Sequence, residues 1–454
     1  MCLDPSIRPF RRRERSSFIV GLVIIIGLAP PAGAQLAGGA QPVLTLRALL
    51  DSVRSNHPAV RAADSRVRAA EGSRTTARAF GNPIIGYQVD QTPFPGGGPI
   101  PGLEREAMTT ATLPLEFLYQ RGPRVRRATA EVRAAEAEGN AARQRIGLDA
   151  ASAYYRAGLA QIQAATTHDL VDWLDTLVAY NRSRVEEGVA AEADLIRSQL
   201  ERDRVASEAS MQDADLAQAR AALGAYLSDS RGSAPLPTVA IDDAPLSLPA
   251  SASPPPSATP ALSIDRRPDV RAARERLASS NAAAAGERSM IVRQLGGTIG
   301  TMQTAGTTSM IAGVSMALPL FDQNRGEVQR ANAERDAAAF ELAAQERTAT
   351  AEIRGAYEAA RILTERATLL ARRDSTSFLT RAEESRRIAL GAYREGAVPL
   401  FQVIDAARSW ADARITYYKT MAAQHQSILA LLVSEGFDLY TTAPTPTSHG
   451  DSLR

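Results

Sequence analysis

The chain is poor in the residue types from which disulfides and many enzyme sites are built. It has one cysteine, Cys2, and four histidines among 454 residues. A disulfide within the chain is therefore impossible, and a thiolate zinc site or a thiol nucleophile is nearly excluded. No histidine has an evident partner for acid–base or nucleophilic chemistry. We therefore expect no enzyme, and neither a cofactor nor a metal site.

A bias in charge and long apolar runs are missing as well. The formal net charge is only +2, so no strongly basic surface predicts binding to nucleic acid. No apolar run after residue 34 reaches 18 residues, which predicts that no helix crosses a membrane. Aromatic residues make up 5% of the chain, whereas alanine and arginine are abundant. This composition favours long helices over a compact globule.

The N-terminus has the pattern of an export signal. Five arginines between Arg8 and Arg15 precede an 11-residue apolar run, FIVGLVIIIGL, and the residues AGA at 32–34 form a cleavage site. The run is too short to span a bilayer, which needs about 20 residues. We expect residues 1–34 to be a signal peptide that is removed from the mature protein, with retention as an anchor as the alternative.

The rest of the chain is written twice. The sequence PAVRAA at residue 58 returns as PDVRAA at residue 268, an offset of 210. LPL at residue 113 returns at residue 318, and Gly188 returns as Gly396 in a similar context, at offsets of 205 and 208. Landmarks that keep their order and spacing predict an internal duplication. The predicted repeats span residues 35–228 and 265–440.

Two further segments are predicted from composition. Residues 229–264 contain eight prolines with many serines and alanines, which predicts an extended linker rather than a packed element. The polar tail, residues 441–454, is expected to be disordered.

Each repeat has the same predicted order: a helix, two strands and a long helical hairpin. The first helices are expected at 46–78 and 267–288. No proline occurs between residues 124 and 234 or between 320 and 398, and both stretches are rich in strong helix formers. A helix over 124–186 would be about 94 Å long, a length that indicates coiled-coil packing.

Four segments have strand character: 83–91, 106–117, 295–304 and 310–318. Three of them alternate apolar and polar residues, whereas the third, rich in glycine and threonine, shows no clear face. Segments of about 9–11 alternating residues suit the tilted strands of an outer-membrane barrel. A soluble antiparallel sheet is the alternative. The first two segments are joined by a turn-rich loop, 92–105, and the last two by a short turn at 306–308.

Four strands cannot close a membrane barrel, because known barrels have at least eight strands. An open edge in lipid would leave backbone groups without hydrogen bonds. Several chains must therefore share one barrel. Two chains give eight strands around an interior filled by side chains, whereas three give twelve and begin to leave a pore. A transport role favours three.

Several short motifs are similar to those of the TolC-like outer-membrane efflux family. Asn56-His57-Pro58 opens the first repeat, RRPDVR at residue 266 opens the second, and LPLFD at residue 318 precedes Gly326. Two glycine turns, RVEEGVA at residue 184 and YREG at residue 393, complete the match. The resemblance covers roughly residues 44–435. LE at residue 115, with QRGPR at residue 120, resembles the heavy-metal-cation subgroup.

This resemblance implies an α+β membrane protein of the outer membrane that extends into the periplasm. It implies a homotrimer with a shared 12-stranded β-barrel, four strands per chain, continuous with a long periplasmic α-helical coiled-coil barrel. Its implied function is the passive exit duct of a tripartite efflux pump for small molecules or metal cations. The implied partners are a periplasmic adaptor (membrane fusion) protein, an inner-membrane transporter and outer-membrane lipid. The alternatives are the duct of a type I protein secretion system and a secreted structural coiled coil.

The resemblance also implies two groups of site residues at the periplasmic end. The residues that would face the adaptor lie at the two glycine turns: Arg184, Gly188, Val189, Ala190, Glu395, Gly396 and Val398. The residues that would constrict the gate are Asp194, Tyr393 and Asp405, with Gln402 where the family has a second acid. Val398 stands where the family often has a basic residue. In a trimer each acid would appear three times, and a ring of acids attracts cations.

Overall fold

A computed structural model describes residues 43–90, 102, 105–227, 238–241, 244–249, 264–291, 293–372 and 377–442. The predicted signal peptide lies outside the described residues. So do most of the predicted linker, the predicted loop at 92–105 except for residues 102 and 105, and the predicted tail from residue 443 onward.

The described chain consists of long helices and four strands. In chain order the helices are α1 (Leu46–Asn56), α2 (Pro58–Arg78), α3 (Arg121–Glu186), α4 (Glu192–Gly224), α5 (Pro268–Ser289), α6 (Arg325–Leu370), α7 (Phe378–Arg394), α8 (Leu400–Ser434) and α9 (Leu439–Thr442). The strands are β1 (Ile84–Asp90), β2 (Glu106–Pro114), β3 (Arg293–Thr304) and β4 (Thr307–Ala317). No helix in this described part is both long and apolar enough to cross a bilayer.

The expectation of a single helix over 46–78 is wrong, because the helix is interrupted at His57. Proline disfavours the helical conformation of the residue before it, and His57 is extended with ψ 128°. Its ring Nδ1 accepts a hydrogen bond from the backbone N–H of Ala59 and so caps the new helix. Pro58 fits the first position of α2, where no backbone N–H is needed.

In the second repeat, the long helix that leads towards the turn at Gly396 is also interrupted. α6 ends at Leu370, and α7 begins at Phe378 after Ser377, whose hydroxyl accepts a hydrogen bond from the backbone N–H of Thr380. Serine at this position competes with helix continuation by capping a new helix. By contrast, α3 runs for 66 residues, about 99 Å.

Both repeats contribute to one antiparallel sheet in the order β1–β2–β3–β4. β2 of the first repeat pairs with β3 of the second. In the described chain β1 and β4 are the edges, each paired on one side only. The turn between β3 and β4 is Ala305-Gly306, one residue earlier than expected, with Gly306 at φ 79°.

The register gives this sheet one apolar face. Ile85 is paired with Ala111, Ala111 with Ile299, and the next row runs from Tyr87 to Met310. The register thus defines the face of β3 that its sequence does not show. The large exposed apolar side chains of this face come from every strand: Ile85, Tyr87, Leu113, Ile299, Met310, Val314 and Met316.

The opposite face of the sheet is more polar. It carries Gln88, Asp90 and Glu106, and the hydroxyls of Thr112 and Thr298 lie 2.9 Å apart across two strands. An antiparallel sheet buries its apolar face against something, so the apolar face requires a cover that the single chain does not supply.

The main hydrophobic core joins α1 to α3 and α8. Leu49, Leu50 and Val53 of α1 are fully buried, as are Leu429 and Leu431 of α8. The buried residues of α3 are mostly alanines, which allow neighbouring helices to approach closely. The core therefore lies along helix seams.

The predicted linker and the predicted tail are both packed in the parts that the structure describes, contrary to expectation. In the predicted linker, Val239 is buried and forms a parallel bridge with Leu44, and Leu246 also packs against the main core. The burial of these apolar side chains holds parts of the linker against the core despite its proline-rich composition. Thr441 and Thr442, expected in the disordered tail, belong to α9, whose Leu439 is buried.

Asp269, in the PDV motif that opens α5, belongs to a polar cluster around Arg267. Arg267 is buried, and its guanidinium donates to Asp269, to Glu352 and to the backbone carbonyl of Ser434. Burial alone would raise the pKa of Asp269, but the hydrogen bonds and positive charge of Arg267 outweigh it and hold that pKa below its usual value. The cluster ties α5 to α6 and to the end of α8.

Candidate functional site

Two matching turns end the long helices at one end of the hairpins. Gly188 has φ 74° and Gly396 has φ 75°, in the left-handed region that glycine adopts without strain. At the first turn, the N–H of Gly188 donates to Val185 and that of Val189 donates to Arg184. At the second turn, the N–H of Gly396 donates to the carbonyl of Tyr393, and the N–H of Ala397 donates to the carbonyl of Ala392. Both are Schellman motifs, which satisfy the last helix carbonyls.

The predicted adaptor-facing residues differ in exposure at these turns. Val189, Glu395 and both glycines are exposed. Ala190 and Val398 are half-buried, and Val398 packs against the apolar cluster beneath the tip. Arg184 is half-buried, with its guanidinium carbon 5.8 Å from the centre of the Tyr393 ring.

Tyr393 ties α7 to α3 beneath the tips. Its side chain is 5% exposed, and its hydroxyl donates a hydrogen bond of 2.8 Å to Oδ1 of Asn181, which is 0% exposed. Tyr180 packs edge-on against the same ring at 6.1 Å between centroids. A buried hydrogen bond of this kind fixes the separation of the two helices, because breaking it leaves a buried polar group without a partner.

The surroundings of Tyr393 keep its hydroxyl protonated. Burial raises the pKa of Tyr393 above its usual value, the negative charge of Asp194 raises it further, and the positive charge of Arg184 opposes both. A neutral phenol is a hydrogen-bond donor, so the bond to Asn181 persists at physiological pH. Asp194 lies in the first turn of α4, where the helix dipole favours a negative charge.

Asp405 and Gln402 lie apart from this contact. Both are exposed on α8, opposite the buried face formed by Leu400, Val403 and Ile404. The carboxylate of Asp405 makes no hydrogen bond or ion pair with any residue that the structure describes. The structure thus brings Tyr393, Asp194 and Arg184 together and leaves Asp405 and Gln402 exposed on α8, outside that contact.

Sequence reasoning missed Asn181. It follows Leu170, Leu174 and Leu177 at spacings of four, three and four, all buried on one face of α3. A polar residue that continues an apolar heptad stripe is a signal for a specific buried contact. Its partner, Tyr393, is 212 residues away, so the sequence alone does not identify the pair.

A second link, also missed, joins α4 to α8 behind the tips. Arg408 of α8 forms a two-pronged ion pair with Glu201 of α4, with Nε to Oε1 at 2.6 Å. The side chain of Glu201 is only 11% exposed. Bidentate geometry and partial burial make this pair stronger than a typical surface ion pair.

The described side chains contain no cluster of three or more His, Cys, Asp or Glu that could hold a metal ion. Long helices that end in tight turns, together with a four-stranded sheet that exposes one apolar face, form the architecture of an outer-membrane channel subunit. The comparisons with known proteins agree with that class.

The chain belongs to the outer membrane efflux protein family, whose model matches residues 49–228 and 259–436. It is thus an efflux channel protein of the outer membrane. The predicted family, fold class and location are confirmed, whereas the resemblance to the heavy-metal-cation subgroup stays a prediction. A search of curated protein sequences gave no significant match.

Solved structures share the fold at low identity. CusC is 18% identical with a TM-score of 0.73, and the match covers 88% of this chain and 93% of CusC. VceC from Vibrio cholerae is 20% identical with a TM-score of 0.70, covering 86% and 96%. CmeC from Campylobacter jejuni is 15% identical with a TM-score of 0.72, covering 86% and 85%.

Proposed function

We propose that three copies of this chain form the passive exit duct of a tripartite efflux pump. In this assembly the three sheets close one twelve-stranded barrel in the outer membrane, and the helices continue it into the periplasm. An inner-membrane transporter drives export, and a periplasmic adaptor joins it to the duct. The cargo is a small molecule or a metal cation.

The sheet is the observation that carries this proposal. Its two edge strands leave backbone groups unpaired in the single chain, and lipid offers no hydrogen bonds to satisfy them. Its apolar face exposes Ile85 by 77% and Met310 by 83%. Pairing β1 of one copy with β4 of the next satisfies the edges, and the bilayer covers the apolar face.

Exposed apolar residues on the helices support the same assembly. Ile196, Leu200 and Met211 form one stripe on α4 within about 60° of the helix circumference. Phe340 of α6 and Phe401 of α8 are also exposed. Apolar stripes on long helices pack against other helices, and in a trimer the neighbouring copies provide them.

At the tips we assign three roles. Tyr393, held by Asn181 and flanked by Asp194, keeps α7 against α3 and so favours a narrow end of the duct. Asp405, exposed with Gln402 on α8, lines the throat when three copies meet. Val189 and Glu395 are exposed at the turns and available to the adaptor.

Electrical recording in planar bilayers tests the duct. The purified protein is expected to give discrete cation-selective currents that rise when the tip contact is removed. A protein that stays soluble without detergent and gives no current would overturn the proposal.

Site-specific crosslinking tests the adaptor contact in cells. A photoreactive residue at Val189 is expected to crosslink to the adaptor protein, whereas the same residue at Glu71, which is exposed on α2 before β1, is not. Equal yields from both positions would contradict the assignment of the tips.

A further inference from the structure

A groove of about 730 Å³ lies where α5 ends and α6 begins, beside the end of β4. Its lining includes Arg288 at the end of α5, Arg325 at the start of α6, and Pro319 just after β4. Ile291 and Val328 add apolar wall. The groove is large enough for a ligand of drug-like size.

Among the described residues, the two arginines of this groove have no acidic partner. Arg288 donates to the side-chain oxygen of Asn332 at 2.8 Å, and neither Arg288 nor Arg325 forms an ion pair with a described carboxylate. Asp336, the acid at the groove, is engaged by the neighbouring Arg335 at 2.7 Å. Two unneutralised guanidinium groups in one groove favour an anion, and arginine matches the oxygens of a phosphate in two-pronged geometry.

The groove adjoins exposed apolar surface. β4 contributes Val314 and Met316 to the apolar face of the sheet. In the segment between β4 and α6, the side chains of Leu320 and Phe321 are 72% and 100% exposed. Cationic donors thus lie directly beside a surface that suits hydrocarbon. This arrangement is complementary to a lipid, which joins an anionic headgroup to acyl chains.

We propose that the groove binds the phosphate of an anionic phospholipid from the periplasmic leaflet of the outer membrane. Arg288 and Arg325 hold the phosphate oxygens, Asn332 orients Arg288, and the acyl chains lie along the apolar face of the sheet. The inference rests on the proposed function, because it requires that face to be in the bilayer with the helices on the periplasmic side.

Native mass spectrometry of the detergent-solubilised protein tests the site. Short-chain phosphatidylglycerol is added to the wild type and to Arg288→Gln, Arg325→Gln and the double variant, with phosphatidylcholine of the same chain length as the reference. Arg330→Gln is the matched control, since Arg330 lies on the same helix but is paired with Glu327 and Glu334. We expect the double variant to retain phosphatidylglycerol about tenfold less well, because charged hydrogen bonds are lost. The control is expected to match the wild type.

Several results would overturn the site. One is phosphatidylglycerol retention in the double variant equal to that of the wild type. Another is equal retention of both lipids by the wild type. Full displacement of the lipid by an equal concentration of inorganic phosphate would show that the groove binds the free ion instead.

Dissociation of the double variant into monomers would show that the groove contacts a neighbouring copy, which also overturns the lipid site. The same spectra separate this inference from the proposed function. A wild type that is not trimeric contradicts the duct itself, whereas a trimer without lipid preference contradicts only the groove.

Discussion

Replacing Tyr393 by phenylalanine removes only the hydroxyl that links α7 to α3. The lost bond is 2.8 Å long and joins two buried side chains. A typical buried hydrogen bond contributes about 1 kcal/mol, and the stranded oxygen of Asn181 adds a desolvation penalty. We therefore expect Tyr393→Phe to destabilise the tip by about 1.5 kcal/mol.

The complementary change, Asn181→Leu, continues the leucine stripe of α3 but strands the Tyr393 hydroxyl. It is expected to cost about 1.5 kcal/mol for the same reason. The amide nitrogen of Asn181 is buried without a hydrogen-bond partner among the described atoms, so the wild-type site is already only half satisfied. Combining both changes removes every stranded group. The double variant is expected to lie within about 0.5 kcal/mol of the wild type, a coupling of about 2.5 kcal/mol.

Two assays measure this contact. Each single change is expected to lower the thermal unfolding midpoint, and the double variant is expected to recover it. A change of about 1.5 kcal/mol shifts the ratio of open to closed states about tenfold for the tip of each single copy. Both single variants are therefore expected to conduct more in planar bilayers. Tyr180→Phe is the control, because the Tyr180 hydroxyl makes no hydrogen bond with a described residue. Additive effects of the two changes, or unchanged conductance in both single variants, would refute the reasoning.

Three further predictions follow from other residues. Gly188→Ala forces a Cβ into the left-handed region and is expected to lower stability by about 1 kcal/mol, whereas Gly391→Ala, inside α7 with open space around it, is expected to be neutral or stabilising in the same thermal assay. Asp405→Ala is expected to lower cation selectivity in reversal-potential measurements, and unchanged selectivity would dismiss the acidic ring. Asp269→Asn is expected to cost about 2 kcal/mol at neutral pH by weakening the hold on Arg267. Because the folded pKa of Asp269 lies below its unfolded value, this contribution exists above pH ~4 and fades as the pH falls further, so wild type and variant should converge in acid.

The sequence carried the features that depend on local chemistry. Proline-free stretches rich in alanine marked the long helices, and glycines at matching offsets marked the turns where φ is positive. The break at His57 is also encoded locally, because Pro58 disfavours the helical conformation of the residue before it. The single helix expected over 46–78 left this constraint out.

Features that depend on contacts between residues distant in the sequence could not be predicted as well. β3 has no readable face because glycine and threonine suit either side, and only its register with β2 and β4 assigns Ile299 to the apolar face. The partner of Tyr393 required the packing of α3 against α7. Arg288 and Arg325 meet in one groove only because α5 and α6 flank the sheet. Such contacts depend on tertiary geometry, which spacing along the chain does not encode.

The central claim is that one chain supplies a third of a closed barrel. The mass of the protein in detergent, measured by light scattering with the detergent contribution subtracted, tests it most directly. We expect three copies, which separate into single chains only on strong denaturation. A stable single chain or a dimer in mild detergent would contradict it.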